Sequence, residues 1–247
     1  AAATPELPTF VHEYPESAKL TRYCFAIAFG ALGVGGFLGL IQGLHRTGMF
    51  RGVISSTDYY TVLTAHGVLL ALVFTTFFIA GLFAWAVSNS LERELPQRVS
   101  WSAFWLMLFG TVLAAVAIIG GLIGAPSILG HDLKADVLFT FYAPMKAHPA
   151  FYVGAALIIV GSWLAGYAYF KSLWNWRSEN PGERIPLKTF MVVTTMLMWY
   201  ISTIGVAVEV VALLIPWSLG LISSVDPLLT RTLFWFFGHP VVYFWLM

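Results

Sequence analysis

Six apolar runs, each parted from the next by a polar connection, set the plan of this 247-residue chain. A helix needs about 20 apolar residues to cross the roughly 30 Å hydrocarbon layer of a bilayer. Hydropathy predicts spans at about 20–44, 61–87, 101–123, 150–174 and 187–215, with a sixth from about 228 that is still apolar at Met247. The expected fold is therefore all-α: a polytopic transmembrane bundle of five full spans and a truncated sixth, forming a single membrane domain over 1–247. Only about 20 residues follow the turn at Asp226-Pro227, barely the length needed to cross. The expectation is a fragment or one product of a split gene. The first residues, A-A-A-T-P-E-L-P-T-F-V-H-E-Y-P-E, are polar and acidic, unlike a cleavable signal peptide, so the first span itself should direct insertion.

The first span carries Gly35, Gly39 and Gly43 at i, i+4 and i+8, a small-residue ridge read as a helix-packing surface. Tyr59-Tyr60 is read as an interface anchor. The connection with Glu92, Arg93, Glu94, Pro96 and Arg98 is short and solvated, and the third span has no ionisable residue, so packing is its expected role. Residues 124–147 form a long, semi-ordered loop expected to cap one end of the bundle. The N-P-G turn near residue 181 lies in a water-facing connection of mixed charge.

Composition agrees with this pattern. The chain is 59% apolar, 16% aromatic and 10% charged, against roughly 25% charged in a soluble domain. The net charge of +1, without a basic stripe, excludes a nucleic-acid partner as the default. The lone cysteine, Cys24, cannot form an internal disulfide and is read as a buried thiol. Eight cations (Lys19, Arg22, Arg93, Arg98, Lys171, Arg177, Arg184 and Lys188) fall on one set of connections, and five (Arg46, Arg51, Lys134, Lys146 and Arg231) on the other. The positive-inside bias then puts the N-terminus in the cytoplasm.

Few groups inside these spans carry chemistry, and ionisable side chains in lipid are costly enough to be functional candidates. His66 lies in the second span with Gly67 beside it; a structural histidine and an axial haem ligand are both open readings of that placement. Glu209, a lone acid near the far end of the fifth span, is either part of a proton relay or a neutral structural group. In the sixth run His239 and Tyr243 are spaced i, i+4 and share one helix face, and Pro240 between them removes a backbone hydrogen bond and loosens that turn. His131 and His148 lie outside the spans and are read as loop or interface residues. The orientation puts His66, Glu209 and His239 in the outer half, His239 roughly 15 Å deep at 1.5 Å rise per residue.

The run F-W-F-F-G-H-P-V-V-Y at 234–243 resembles the sixth-helix signature of subunit I of the haem-copper oxidases, and A-H-G-V-L-L-A-L-V-F at 65–74 is similar to that family's second-helix motif. The resemblance covers the whole chain but less than half of a full subunit I. It implies that His66 is an axial ligand of the low-spin haem b. It also implies that His239 is a ligand of the copper CuB, that Tyr243 is joined covalently to His239, and that catalysis rests on Tyr243 and His239. The commonest members carry Glu where this chain has Val241. A valine cannot carry protons, and G-H-P-V-V-Y-F-W together with F-Y-A-P-M-K-A-H-P-A-F-Y at 141–152 resembles the B-family, ba-type branch.

The resemblance further implies a terminal respiratory oxidase of the cytochrome c oxidase type in a prokaryotic plasma membrane, reducing dioxygen to water and coupled to proton translocation. Electrons would come from cytochrome c or a small copper protein, through a subunit II with a CuA centre, to the low-spin haem and then a high-spin haem of a type facing CuB. Tyr243 would supply an electron and a proton for O–O scission. The remaining histidine ligands would lie in the C-terminal half of subunit I, so this stretch alone is expected to be inactive. The alternative is a metal-free proton or ion transporter in which Glu209, His239 and Tyr243 line the path.

Overall fold

The computed structural model describes residues 10–50 and 52–244, the side chain of Phe244 excepted. A single turn at Phe10–Glu13 precedes six long helices: α1 Pro15–Arg46, α2 Ser56–Leu91, α3 Gln97–Leu122, α4 Pro149–Glu179, α5 Leu187–Ser218 and α6 Pro227–Phe244. The only extended pairing among the described residues is an isolated bridge between Ile128 and His131. Helices α1 to α5 are each long and apolar enough to cross a membrane. They outrun the apolar stretches because hydropathy marks only the lipid-immersed part, whereas backbone hydrogen bonding continues until a cap or breaker. Thus α4 continues through the polar W-N-W-R-S-E segment to Glu179.

Two helices contain a widened stretch, π-helical at Val68–Phe74 in α2 and at Glu209–Leu214 in α5. Such insertions recur at functional sites. Here one begins two residues after His66 and the other on Glu209 itself.

Helices in lipid gain little from hiding apolar surface, so close van der Waals approach must hold them together. Helices α3 and α4 meet backbone to backbone. A Cβ on Gly110 would stand 2.5 Å from the Gly154 carbonyl oxygen, and a Cβ on Gly154 would stand 2.5 Å from that of Gly110. Gly205 plays the same part between α5 and α6, where a Cβ would lie 2.7 Å from the Leu233 carbonyl oxygen.

Polar contacts secure both ends of the bundle. At one end, the Glu94 carboxylate accepts from the backbone N–H groups of Glu16 at 3.0 Å and Ser17 at 2.8 Å, and from the Ser17 hydroxyl at 2.5 Å. A side chain from the α2–α3 connection thereby caps the first turn of α1, whose amides have no partner within the helix. At the other end, residues 123–148 are tied to the helices by specific contacts. The Leu138 N–H donates to Thr64 Oγ1 at 2.8 Å, and the ring of Phe141 packs edge-on against Phe151, Tyr152 and Phe234. Leu138 and Phe141 have φ of 64° and 39°, a left-handed backbone costly for side chains of this size, so these tertiary contacts must over-determine it.

Candidate functional site

His66 stands on the last turn of the α-helical part of α2, which starts at Ser56 behind the capping residue Ser55, whose hydroxyl accepts from the Asp58 N–H. The imidazole crosses to α1 and places Nδ1 2.8 Å from the Gly35 carbonyl oxygen. That carbonyl has no hydrogen to give, so Nδ1 carries the proton and Nε2 keeps its lone pair. A histidine whose Nδ1–H is tied to a backbone carbonyl has its tautomer and ring plane fixed for coordination through Nε2.

The glycine ridge on α1 makes this possible. A Cβ on Gly39 would lie 2.8 Å from Cε1 and 3.1 Å from Nδ1 of His66, too close for any side chain. Gly35 admits Leu70 in the same way, while a Cβ on Gly43 would meet nothing within 4 Å. The ridge read as a packing surface is thus also the seat of the imidazole. Gly67, next to His66 in the chain, meets a different neighbour. The space above it is taken by Phe139, whose Cβ would lie 2.6 Å from a Cβ at that position.

On α6, His239 Nε2 lies 2.9 Å from Tyr243 Oη, with ring centroids 4.9 Å apart and planes at 77°. The one-turn separation brings the rings together, and Pro240 lies inside the helix between them. With Nε2 turned to the phenol, Nδ1 is the nitrogen left for a metal. Both side chains are exposed, Tyr243 at 50%. No group of three or more His, Cys, Asp or Glu able to enclose a metal occurs among the described residues. His239 thus presents Nδ1 with no second candidate metal donor grouped around it among the described residues, whereas His66 presents Nε2 from a ring fixed through its other nitrogen.

An apolar cavity of about 200 Å³ links the two histidine-bearing segments. It is lined by Leu72 of the widened stretch after His66, by Phe139 and Phe141 of the ordered loop, and by Phe234, Gly238 and Val241 of α6. Val241 is buried, so the face on which the commoner motif would place a carboxylate is hydrocarbon here.

The remaining candidates fall elsewhere. Glu209 is fully buried in α5, and neither carboxylate oxygen has a hydrogen-bond partner among the described residues. His148, read from sequence as a loop or interface residue, is the N-cap of α4. Its Nδ1 accepts from the Ala150 N–H at 3.1 Å and its Nε2 donates to the Ile128 carbonyl at 3.2 Å. His131 lies beside it, with ring centroids 6.2 Å apart. Cys24 is a free, buried thiol. Sequence reasoning missed Thr64, which holds the loop over the cavity, and the aromatic pair Phe139 and Phe141. Only the loop's unusual aromatic content pointed to them.

The chain matches the family "Cytochrome C and Quinol oxidase polypeptide I" over residues 19–247. It is 36% identical to a cytochrome c oxidase subunit 1 of Thermus thermophilus over 253 aligned positions, covering 100% of this chain and 43% of that protein. A probable cytochrome c oxidase subunit 1-alpha of Streptomyces avermitilis is 28% identical over 87% of this chain and 38% of its own length. Among solved structures, a chain of a heme-copper terminal oxidase dimer superposes with a TM-score of 0.83 at 38% identity, covering 93% of this chain and 38% of that one. The chain thus spans less than half the length of these relatives.

Proposed function

Since this chain belongs to the cytochrome c and quinol oxidase polypeptide I family, we propose that it is the N-terminal portion of the catalytic subunit of a terminal respiratory oxidase, in which dioxygen is reduced to water with coupled proton translocation. The observation that carries this reading is the state of the two imidazoles. Each has one ring nitrogen engaged, His66 Nδ1 at Gly35 and His239 Nε2 at Tyr243, leaving the other nitrogen as a donor.

In this reading His66 would hold the iron of a low-spin haem b through Nε2, and His239 would hold CuB through Nδ1, with further ligands supplied by the C-terminal half of subunit I. Haem and copper, when bound, supply electron transfer and the reduction of dioxygen. Imidazole suits copper in either oxidation state. The chain's own part is to orient and to exclude water. Gly35 and Gly39 set the His66 ring, the phenylalanines of the loop and α6 keep the space between the sites dry, and Tyr243 holds a proton on Oη beside His239.

Val241 supports the ba-type, B-family branch, with a high-spin haem of a type and protons arriving by a route that avoids this position. The distribution of cations supports a cytoplasmic N-terminus in a prokaryotic plasma membrane. A subunit II with a CuA centre, fed by cytochrome c or a small copper protein, is the proposed electron source. The test is a reduced-minus-oxidised haem spectrum of the intact complex together with a copper assay. Two haem signals and bound copper are expected, and a colourless, copper-free complex would rule the reading out in favour of a metal-free transporter.

A further inference from the structure

Helix α4 ends in a stripe of residues that the oxidase reading does not use. Tyr167, Phe170, Lys171, Trp174, Arg177 and Ser178 recur at intervals of three and four and so share one helix face. Along that face aromatic rings give way to cations and a hydroxyl within about 16 Å, at 1.5 Å per residue. Tyr167 and Trp174 are 52% and 79% exposed. A groove of about 500 Å³ lies between this end of α4 and the connection to α5, lined by Phe170, Leu173, Trp174, Arg177, Ser178 and Ile185. That volume falls in the roughly 300–1,000 Å³ range of small-molecule sites. Phe170 stacks on Tyr200 of α5, with ring centroids 6.0 Å apart, which fixes the apolar wall.

The guanidinium at the rim is oriented, and its charge is unpaired. An Arg177 N–H donates to the Glu183 carbonyl, which holds the head against the connection. Arg177 makes no ion pair among the described residues, and the one acid of α4, Glu179, is taken by Arg93 at 3.0 Å. The charges of the connection itself, Glu183 and Arg184, cancel, so Arg177 and exposed Lys171 leave the site positive. About 40 Å of helix, at 1.5 Å per residue, separates Arg177 from Phe151, which packs against the loop at the other end of the bundle. The groove is therefore remote from both imidazoles.

We propose that this groove binds one anionic phospholipid of the leaflet in which α4 ends, with its phosphate on Arg177 and its acyl chains along Phe170 and Trp174. A guanidinium offers phosphate two parallel N–H donors, whereas an ammonium is a point charge, so Arg177 is the anchor and Lys171 the supplement. Tryptophan settles where one edge meets hydrocarbon and the other meets headgroups, the position of Trp174 between Phe170 and Arg177. Basic pockets between helices at this depth suit anionic headgroups. A zwitterionic lipid would bring its own cation to a site that is already positive, and a free phosphate ion would leave the apolar wall unused. The inference goes beyond the oxidase reading and rests only on the chain spanning a membrane.

The experiment is native mass spectrometry of the intact complex with full-length subunit I, titrated with phosphatidylglycerol or phosphatidylcholine in detergent micelles. Wild type is compared with Arg177→Gln, Ser178→Glu and Arg98→Gln. Wild type should retain one phosphatidylglycerol more than either groove variant, and the concentration that restores this molecule should rise at least about tenfold in both. Arg98→Gln removes an exposed cation from the start of α3, outside the groove, and should match wild type. Phosphatidylcholine should not take the place, and inorganic phosphate should not displace the lipid. Equal retention in wild type and both groove variants, as when another subunit covers the groove, would overturn the proposal. So would an equal loss in Arg98→Gln, phosphatidylcholine bound in the same place, or displacement by inorganic phosphate. Ser178 is exposed and its replacement leaves Arg177 present, so Ser178→Glu keeps the test decisive should Arg177→Gln fail to assemble.

Discussion

Gly39→Ala tests how the α1 ridge presents the His66 imidazole. The new methyl would stand 2.8 Å from Cε1 and 3.1 Å from Nδ1, well inside ordinary contact. Either the ring stays and the overlap costs about 1–3 kcal/mol, or it swings away and gives up its 2.8 Å bond to Gly35, about 1 kcal/mol. Alanine in place of glycine within a helix returns about 0.5–1 kcal/mol, so net stability should change by no more than about 2 kcal/mol. Haem retention should change more, because loosening the outer partner of a metal-binding histidine weakens metal affinity about 10–100-fold. The assay is haem titration of the intact complex, followed through the low-spin absorption band, with thermal unfolding measured on the same preparations. Gly43→Ala, which meets nothing within 4 Å, is the matched control and should retain haem fully. Wild-type haem affinity in Gly39→Ala, or equal losses in both variants, would refute the argument that this glycine seats the imidazole.

Other perturbations have definite outcomes. Gly154→Ala should lower the thermal stability of the detergent-solubilised complex by about 1–3 kcal/mol, because its Cβ would meet the Gly110 backbone at 2.5 Å. Glu94→Ala leaves the Glu16 and Ser17 amides uncapped and should cost about 2 kcal/mol, with faster amide exchange confined to the first turn of α1. Thr64→Val removes the acceptor of the Leu138 N–H; proteolysis within residues 123–148 should accelerate about tenfold while the helices stay protected. Tyr243→Phe should keep haem and copper yet lower oxygen consumption by at least about 10²-fold, since it deletes the hydroxyl at 2.9 Å from His239.

The helices were legible because apolar runs of bilayer length permit little else, and the pairing of His239 with Tyr243 follows from their spacing within one helix. The role of the glycine ridge was not. Spacing shows that Gly35, Gly39 and Gly43 share a face, but only the rotation of α1 against α2 decides that the second meets His66 and the third meets nothing. Helix ends were missed where caps come from afar. Glu94 reaches α1 across 77 residues of chain to Ser17, and no local pattern announces it. His148 is a different case: Pro149 at the first helical position was a visible start signal, hidden by reading the span from its apolar content alone. The widened stretches at Val68 and Glu209 are set by tertiary packing and leave no mark in hydropathy.

Iron and copper analysis of the intact complex carrying His66→Ala or His239→Ala tests the central claim most directly. The His66 variant should lose one haem iron and keep its copper, and the His239 variant should lose copper and keep the low-spin haem. Full metal content in both variants would contradict the assignment of these two imidazoles as ligands.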